Sequence, residues 1–188
     1  MSARTHVDDM HLVTLDTHLQ DGAGRSLLRT TVIERPNAVG VIAYDDRRDV
    51  VVLIEQFRAG PYVEAGVRTM LEIVAGYGDP GESERDAARR QLQEETSLVT
   101  DRLFHVSHYF PAPTLSTESM SLWCAFVDSD LALERTATGP ERIRSVQVSG
   151  EQAVALMLEN RVSNALTLTA VPWLAQVRQV LRRWGDPS

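Results

Sequence analysis

The sequence predicts an α/β fold, a sheet of apolar strands covered by helices with a small β unit ahead of it. Three observations carry this. The runs Ala38 to Tyr44 and Val50 to Gln56 are nearly all apolar and rich in β-branched residues, as central strands covered on both faces are. The run from Ser83 to Glu95 is mostly strong helix formers. Two further helical stretches, Gly150 to Glu159 and Ser163 to about Arg183, follow a short strand at Arg144 to Val148. With 188 residues, 43% of them apolar, the chain can bury one good core but not two large ones.

Residues 1–35 read as an N-terminal β unit. His11 to Leu15 and Ser26 to Ile33 alternate around Asp21-Gly22-Ala23-Gly24, a hairpin turn. Such a hairpin is marginal alone, so it needs another surface to pack on, such as that of a second subunit. Arg35-Pro36 ends it, and residues 36–188 form the main domain. The charged turn Asp45 to Asp49 joins the two central strands. Arg58 then leaves the sheet beside the loop Ala59-Gly60-Pro61, and a guanidinium there suits the oxygens of a phosphate.

Met70 to Val74 is a short strand delivering Gly76. Gly76, Gly78, Pro80 and Gly81 exclude regular structure up to Glu82, after which Ser83 is placed to cap a helix, with Asp86 three residues on. Leu103 to Phe110 alternates as another strand. His105 and His108 lie three apart on it and point to opposite faces, which excludes a shared metal. Pro111 to Glu118 is a stiff loop before the strand Met120 to Val127. In the last helix Trp173, Leu174, Val177 and Leu181 form a core stripe.

Composition removes several chemistries. All 19 basic residues are arginine, so a P-loop lysine, a Schiff-base lysine and a Ser-Lys dyad are excluded. A net charge of −7 argues against nucleic-acid binding, and an anionic substrate would need a local cation. The single cysteine, Cys124, sits in the apolar run Leu122 to Val127 and reads as a buried, inert thiol. No apolar stretch reaches the ~20 residues of a membrane span, and Met1 to Asp9 lacks a signal-peptide core, so a cytoplasmic protein is expected.

The stretch Gly76 to Ser97 organises the rest. On its helix Gln91, Glu94 and Glu95 cluster on one face, while Ala88 and Leu92 turn to the core. Adjacent acids beside a third polar group make an oxygen-rich patch of the kind Mg²⁺ prefers, and carbonyls of the preceding loop can turn toward the same ion. The spacing resembles the Nudix box. Gly76, Glu82, Arg90, Leu92, Glu94, Glu95 and Leu98 fall on seven of its nine fixed positions. Gln91 stands where the box has a metal-binding glutamate, and Ser97 where it has glycine.

The resemblance extends through Val52 to Arg58, Leu71 to Gly76 and Val162 to Ala165, all similar to the ADP-ribose pyrophosphatase subgroup. Pro113 lies where that subgroup has a proline, fifteen residues past the box, and its catalytic glutamate then falls at Glu118. The resemblance implies an α/β/α sandwich around a mixed sheet, with the N-terminal unit exchanged in a homodimer. It implies hydrolysis of ADP-ribose to AMP and ribose 5-phosphate, with Mg²⁺ or Mn²⁺ held by the Ala75 carbonyl, Glu94, Glu95 and position 91. Arg58 and Glu72 would contact substrate, Gly76 and Glu82 would shape the loop, and Arg90 would orient Glu94 or Glu82. The rival substrates are other nucleotide sugars such as GDP-mannose. Because Gln91 replaces a carboxylate, attenuated turnover, or a module that binds nucleotide sugars without hydrolysing them, is the rival from another class.

Overall fold

The computed structural model describes residues 2–7, 10–21, 24–132 and 143–184. Residues 2–33 form a three-stranded antiparallel sheet of β1 (Ser2–Val7), β2 (Met10–Asp21) and β3 (Gly24–Ile33), in that order. The hairpin expected around Asp21 to Gly24 is present, with those two residues paired across it, although the turn residues Gly22 and Ala23 lie outside the described ones. Ahead of that hairpin the unit has a further strand, β1, paired with β2.

The main sheet has the order β10-β5-β4-β9-β8, built from β4 (Ala38–Asp45), β5 (Val50–Phe57), β8 (Leu103–Tyr109), β9 (Met120–Phe126) and β10 (Arg144–Ser149). It is mixed, because β4 and β9 run parallel while the other neighbours are antiparallel. Alternation along the strands sorts the core into two layers. Val39, Val41, Ala43, Val52 and Ile54 face Ala87, Ala88 and Leu92 of α2 (Glu84–Thr96). Ile42, Tyr44, Val51 and Leu53 face α3 (Gly150–Leu158) and α4 (Ala165–Trp184) through Ala153, Ala170, Val171, Leu174 and Leu181. The arrangement is an α/β/α sandwich, and truncating a fully buried link such as Leu92 to alanine costs about 2–5 kcal/mol.

One irregularity positions everything that follows. β5 pairs with β4 only over Val50–Val52, and from Ile54 onward it pairs instead with β6 (Thr69–Glu72). β4 likewise pairs with β7 (Val74–Tyr77) over Ala38–Val41. The two central strands splay, and the chain crosses the wedge from β5 to β4 at Ile73. The single strand expected at Met70 to Val74 is therefore two, and Gly76 and Tyr77, expected in irregular loop, extend the second of them.

Three smaller corrections follow from local chemistry. Ala59-Gly60-Pro61 begins a short helix, α1 (Ala59–Ala65), because proline is tolerated in a first turn, whose N–H groups lack helical partners anyway. The α4 helix is capped by Asn164, whose Oδ1 accepts from Thr167 N at 2.8 Å, and not by Ser163. A bulge between His105 and Ser107 breaks the strict alternation assumed for the two histidines, which are both exposed. Cys124 is buried as expected, and burial pushes its thiol up to about 12.

Candidate active site

The wedge between β4 and β5 opens onto a cavity of about 290 Å³. Arg58, Glu72, Ala75, Gly76, Tyr77, Glu118 and Asn164 are among the residues that line it. Four elements deliver them. β6 and β7 bring Glu72, Ala75 and Gly76; Arg58 sits at the end of β5; the loop before β9 brings Glu118; and the start of α4 brings Asn164. Gly40 lets α4 come this close, since a Cβ there would lie 2.6 Å from Leu166 Cδ1.

Arg58 and Glu72 are joined, with Nε and Nη2 at 2.9 and 2.6 Å from one carboxylate oxygen. Glu72 is 6% exposed, so this pair fixes the guanidinium over the cavity from a nearly rigid base. Glu118 is held by the backbone around it: Ile33 N donates to Leu115 O at 2.8 Å and Thr117 N to Ile33 O at 3.0 Å. Thr117 Oγ1 also accepts from Arg35 N at 2.9 Å. The end of the N-terminal sheet thus sets the height of the loop that carries Glu118.

On α2 the expected cluster of Gln91, Glu94 and Glu95 opens out, because neighbouring residues on a helix lie about 100° apart. Glu94 is exposed and bonded to Arg90 Nη1 at 3.2 Å. Glu95 is buried, and Ala75 N donates to it at 3.3 Å. Gln91 turns to the loop and donates to Tyr77 O at 3.3 Å. None of these three lines the cavity; Glu95 stands directly behind Ala75. Arg90 binds Glu82 at 3.0 and 2.7 Å together with Glu94 and the Tyr77 carbonyl. Its bonds hold the Glu82 carboxyl down to about 2, helped by the Asp79 N–H.

Glu95 is the unusual carboxylate. Burial pushes it up to about 7, against the Ala75 N–H and Arg58, and neighbouring Glu72 and Glu94 add to the rise. Arg58 works against that rise, but its guanidinium is already bound by Glu72. By donor chemistry a carboxylate and a backbone carbonyl such as that of Ala75 both suit a hard cation. Among the described residues no three Asp, Glu, His or Cys side chains could hold a metal by themselves. Gln91 fits less well, since its amide is already engaged. Sequence reasoning assigned no role to Asn164, which donates to Leu71 O at 3.2 Å while capping α4. An asparagine ahead of a helical run is the signal that could have singled it out.

The NUDIX domain pattern matches residues 34–167. The ADP-ribose pyrophosphatase of Escherichia coli K12 is 35% identical over 157 residues, which is 82% of this chain and 75% of that protein. The GDP-mannose pyrophosphatase of Yersinia pestis is 27% identical over 85% of this chain and 80% of its own length. The crystal structure of an ADP compounds hydrolase superposes with a TM-score of 0.70 at 22% identity, over 98% of this chain and 96% of that one, which is a likeness of fold.

Proposed function

This chain belongs to the NUDIX domain family, and on that premise we propose that it hydrolyses the diphosphate bond of a nucleoside diphosphate sugar, ADP-ribose first. The products would be AMP and ribose 5-phosphate. The observation that carries the reading is the cavity in which a carboxylate-anchored guanidinium, Arg58, and a loop carboxylate, Glu118, line the walls around Ala75 and Gly76.

Arg58 would bind diphosphate oxygens while Glu72 keeps its plane fixed. Glu118 would accept a proton from the attacking water as the new P–O bond forms and the bridging P–O bond breaks. Mg²⁺, or Mn²⁺ in its place, supplies neutralisation of the diphosphate charge and a more acidic water when bound. The Ala75 carbonyl, Glu94 and Glu95 would hold it, and Arg90 would steady Glu94. GDP-mannose is the second substrate to test, on the strength of the Yersinia relative. The departure at Gln91 favours one further reading, a nucleotide-sugar-binding module with little turnover.

The test is release of nucleoside monophosphate from a panel of nucleotide sugars with Mg²⁺ or Mn²⁺. AMP from ADP-ribose supports the proposal; stoichiometric binding with no product from any sugar would replace it by the binding module. Residues 1–35 are proposed as the dimer contact of a homodimer, consistent with Leu15, Leu27 and Leu28 being exposed on the small sheet. Removing residues 1–34 should give a monomer by light scattering, and a truncated dimer would refute that role. No helix among the described residues is long and apolar enough to cross a membrane. A lone buried thiol agrees with the reducing cytoplasm as its setting, which fractionation would check.

A further inference from the structure

We infer that Gln91 is a positioning residue that fastens the Gly76 to Gly81 loop to α2 in the metal-free protein, having exchanged metal ligation for a hydrogen bond. Its Nε2 donates to Tyr77 O at 3.3 Å, and Arg90 Nη2 donates to the same carbonyl at 3.0 Å. Two successive residues of one helix thus grip a single carbonyl at the point where β7 ends. The amide also lies flat against Gly76, where a Cβ would overlap its Cδ, Oε1 and Nε2 atoms. The next turn of the loop is closed by Asp79 N donating to Glu82 Oε2 at 2.9 Å, with Glu82 in turn held by Arg90.

The loop is therefore complete without a cation. A glutamate at position 91, the residue the Nudix box has there, offers only acceptors. Placed as Gln91 is, its carboxylate would face the Tyr77 carbonyl, and two acceptors in contact are unfavourable unless a cation or a proton comes between them. The amide removes that requirement and takes over the holding role. The ordering of the loop then no longer waits on metal, while the cation keeps only the Ala75 carbonyl, Glu94 and Glu95 as its protein donors. The cation half of this inference rests on the proposed metal site; the hydrogen-bond half does not.

Amide hydrogen exchange across Gly76 to Gly81, in EDTA and in millimolar Mg²⁺, separates the two halves for the wild type, Gln91→Glu and Gln91→Ala. In EDTA both variants should exchange at least about fivefold faster than wild type, the scale of one lost hydrogen bond. Mg²⁺ should slow Gln91→Glu back toward the wild-type rate and leave Gln91→Ala fast. Wild-type exchange rates in both variants in EDTA would overturn the positioning role. Loosening of Gln91→Glu that Mg²⁺ does not reverse would overturn the exchange of ligand for donor. A wild-type protein that releases no AMP from ADP-ribose would count against the proposed function instead, because the loop measurement involves no substrate.

Discussion

At the far end of β4, Asp45, Asp46 and Asp49 are each matched with an arginine, whereas at the near end the buried Glu95 has only the influence of Arg58, which Glu72 already binds. Arg48 binds Asp45 at 2.9 Å, Arg102 binds Asp46 at 2.7 Å, and Arg178 of α4 binds Asp49. Asp45 is 1% exposed and also accepts from Ser129 N and Oγ and from the N–H groups of Arg47 and Arg48. All three of these acids are answered within the chain, and the result is a tied-down turn. At the other end Arg58 answers Glu72 and Arg90 answers Glu82, but Glu95 receives one long backbone bond. Similar carboxylates do structural work where the protein supplies the counter-charge; on the proposed function, Glu95, where it supplies less, is the one given to an outside cation.

The comparison can be broken at either end. The largest effect is expected from Glu118→Gln, which should lower kcat on ADP-ribose a hundredfold or more while leaving KM nearly unchanged. Wild-type turnover in that variant would remove Glu118 from the chemistry. At the far end Asp45→Asn should leave kcat unchanged and lower stability by about 1–2 kcal/mol, a figure reduced because Arg48 is 42% exposed. Its pH dependence has a definite sign. Burial alone would raise the Asp45 carboxyl, yet the Ser129 and Arg48 donors outweigh it and hold it down to about 2. The folded value is below the usual 3.8, so this stabilisation is present above about pH 4 and is lost as pH falls from there toward 2. Denaturant melts of wild type and Asp45→Asn should therefore converge between those values.

A smaller effect sharpens the helix that links the two ends. Ser97 closes α2 with φ 65°, a left-handed conformation that costs a side-chain-bearing residue energy and glycine none. Ser97→Gly should stabilise by about 0.5–1 kcal/mol, roughly 1–4 °C in Tm for a chain of this size, with no change in turnover. A lower Tm would mean that the serine hydroxyl contributes something the backbone geometry does not reveal.

How much of this was legible in the sequence depended on how local the cause was. The strands β4, β5 and β9 and the cap and core face of α2 follow from apolar runs, helix formers and Ser83, all of which act within a few residues. The division of residues 69–77 into two strands depends on the divergence of β4 from β5, a non-local event that no run of letters encodes. The helix α1 was hidden by Gly60-Pro61, which reads as a loop until proline's tolerance of a first turn is considered. At the site the spacing singled out Glu82, Arg90 and the loop, which the structure joins by hydrogen bonds. It could not show that Gln91 and Glu95 would turn to different backbone groups, because those partners, the Tyr77 carbonyl and the Ala75 N–H, come from β7, whereas the Arg90–Glu94 pair is local to the helix.

The measurement that bears most directly on the contrast is the metal-dependent turnover of Glu95→Gln, taken alongside its melting temperature in EDTA. Neutralising a buried carboxylate whose burial outweighs the help of Arg58 should keep or raise the melting temperature. It should also reduce Mg²⁺-dependent hydrolysis of ADP-ribose by about a hundredfold or more, the scale of a lost metal contact. A Glu95→Gln protein that melts several degrees lower yet turns over at the wild-type rate would contradict the account, and would make Glu95 a structural acid like those at the other end of the sheet.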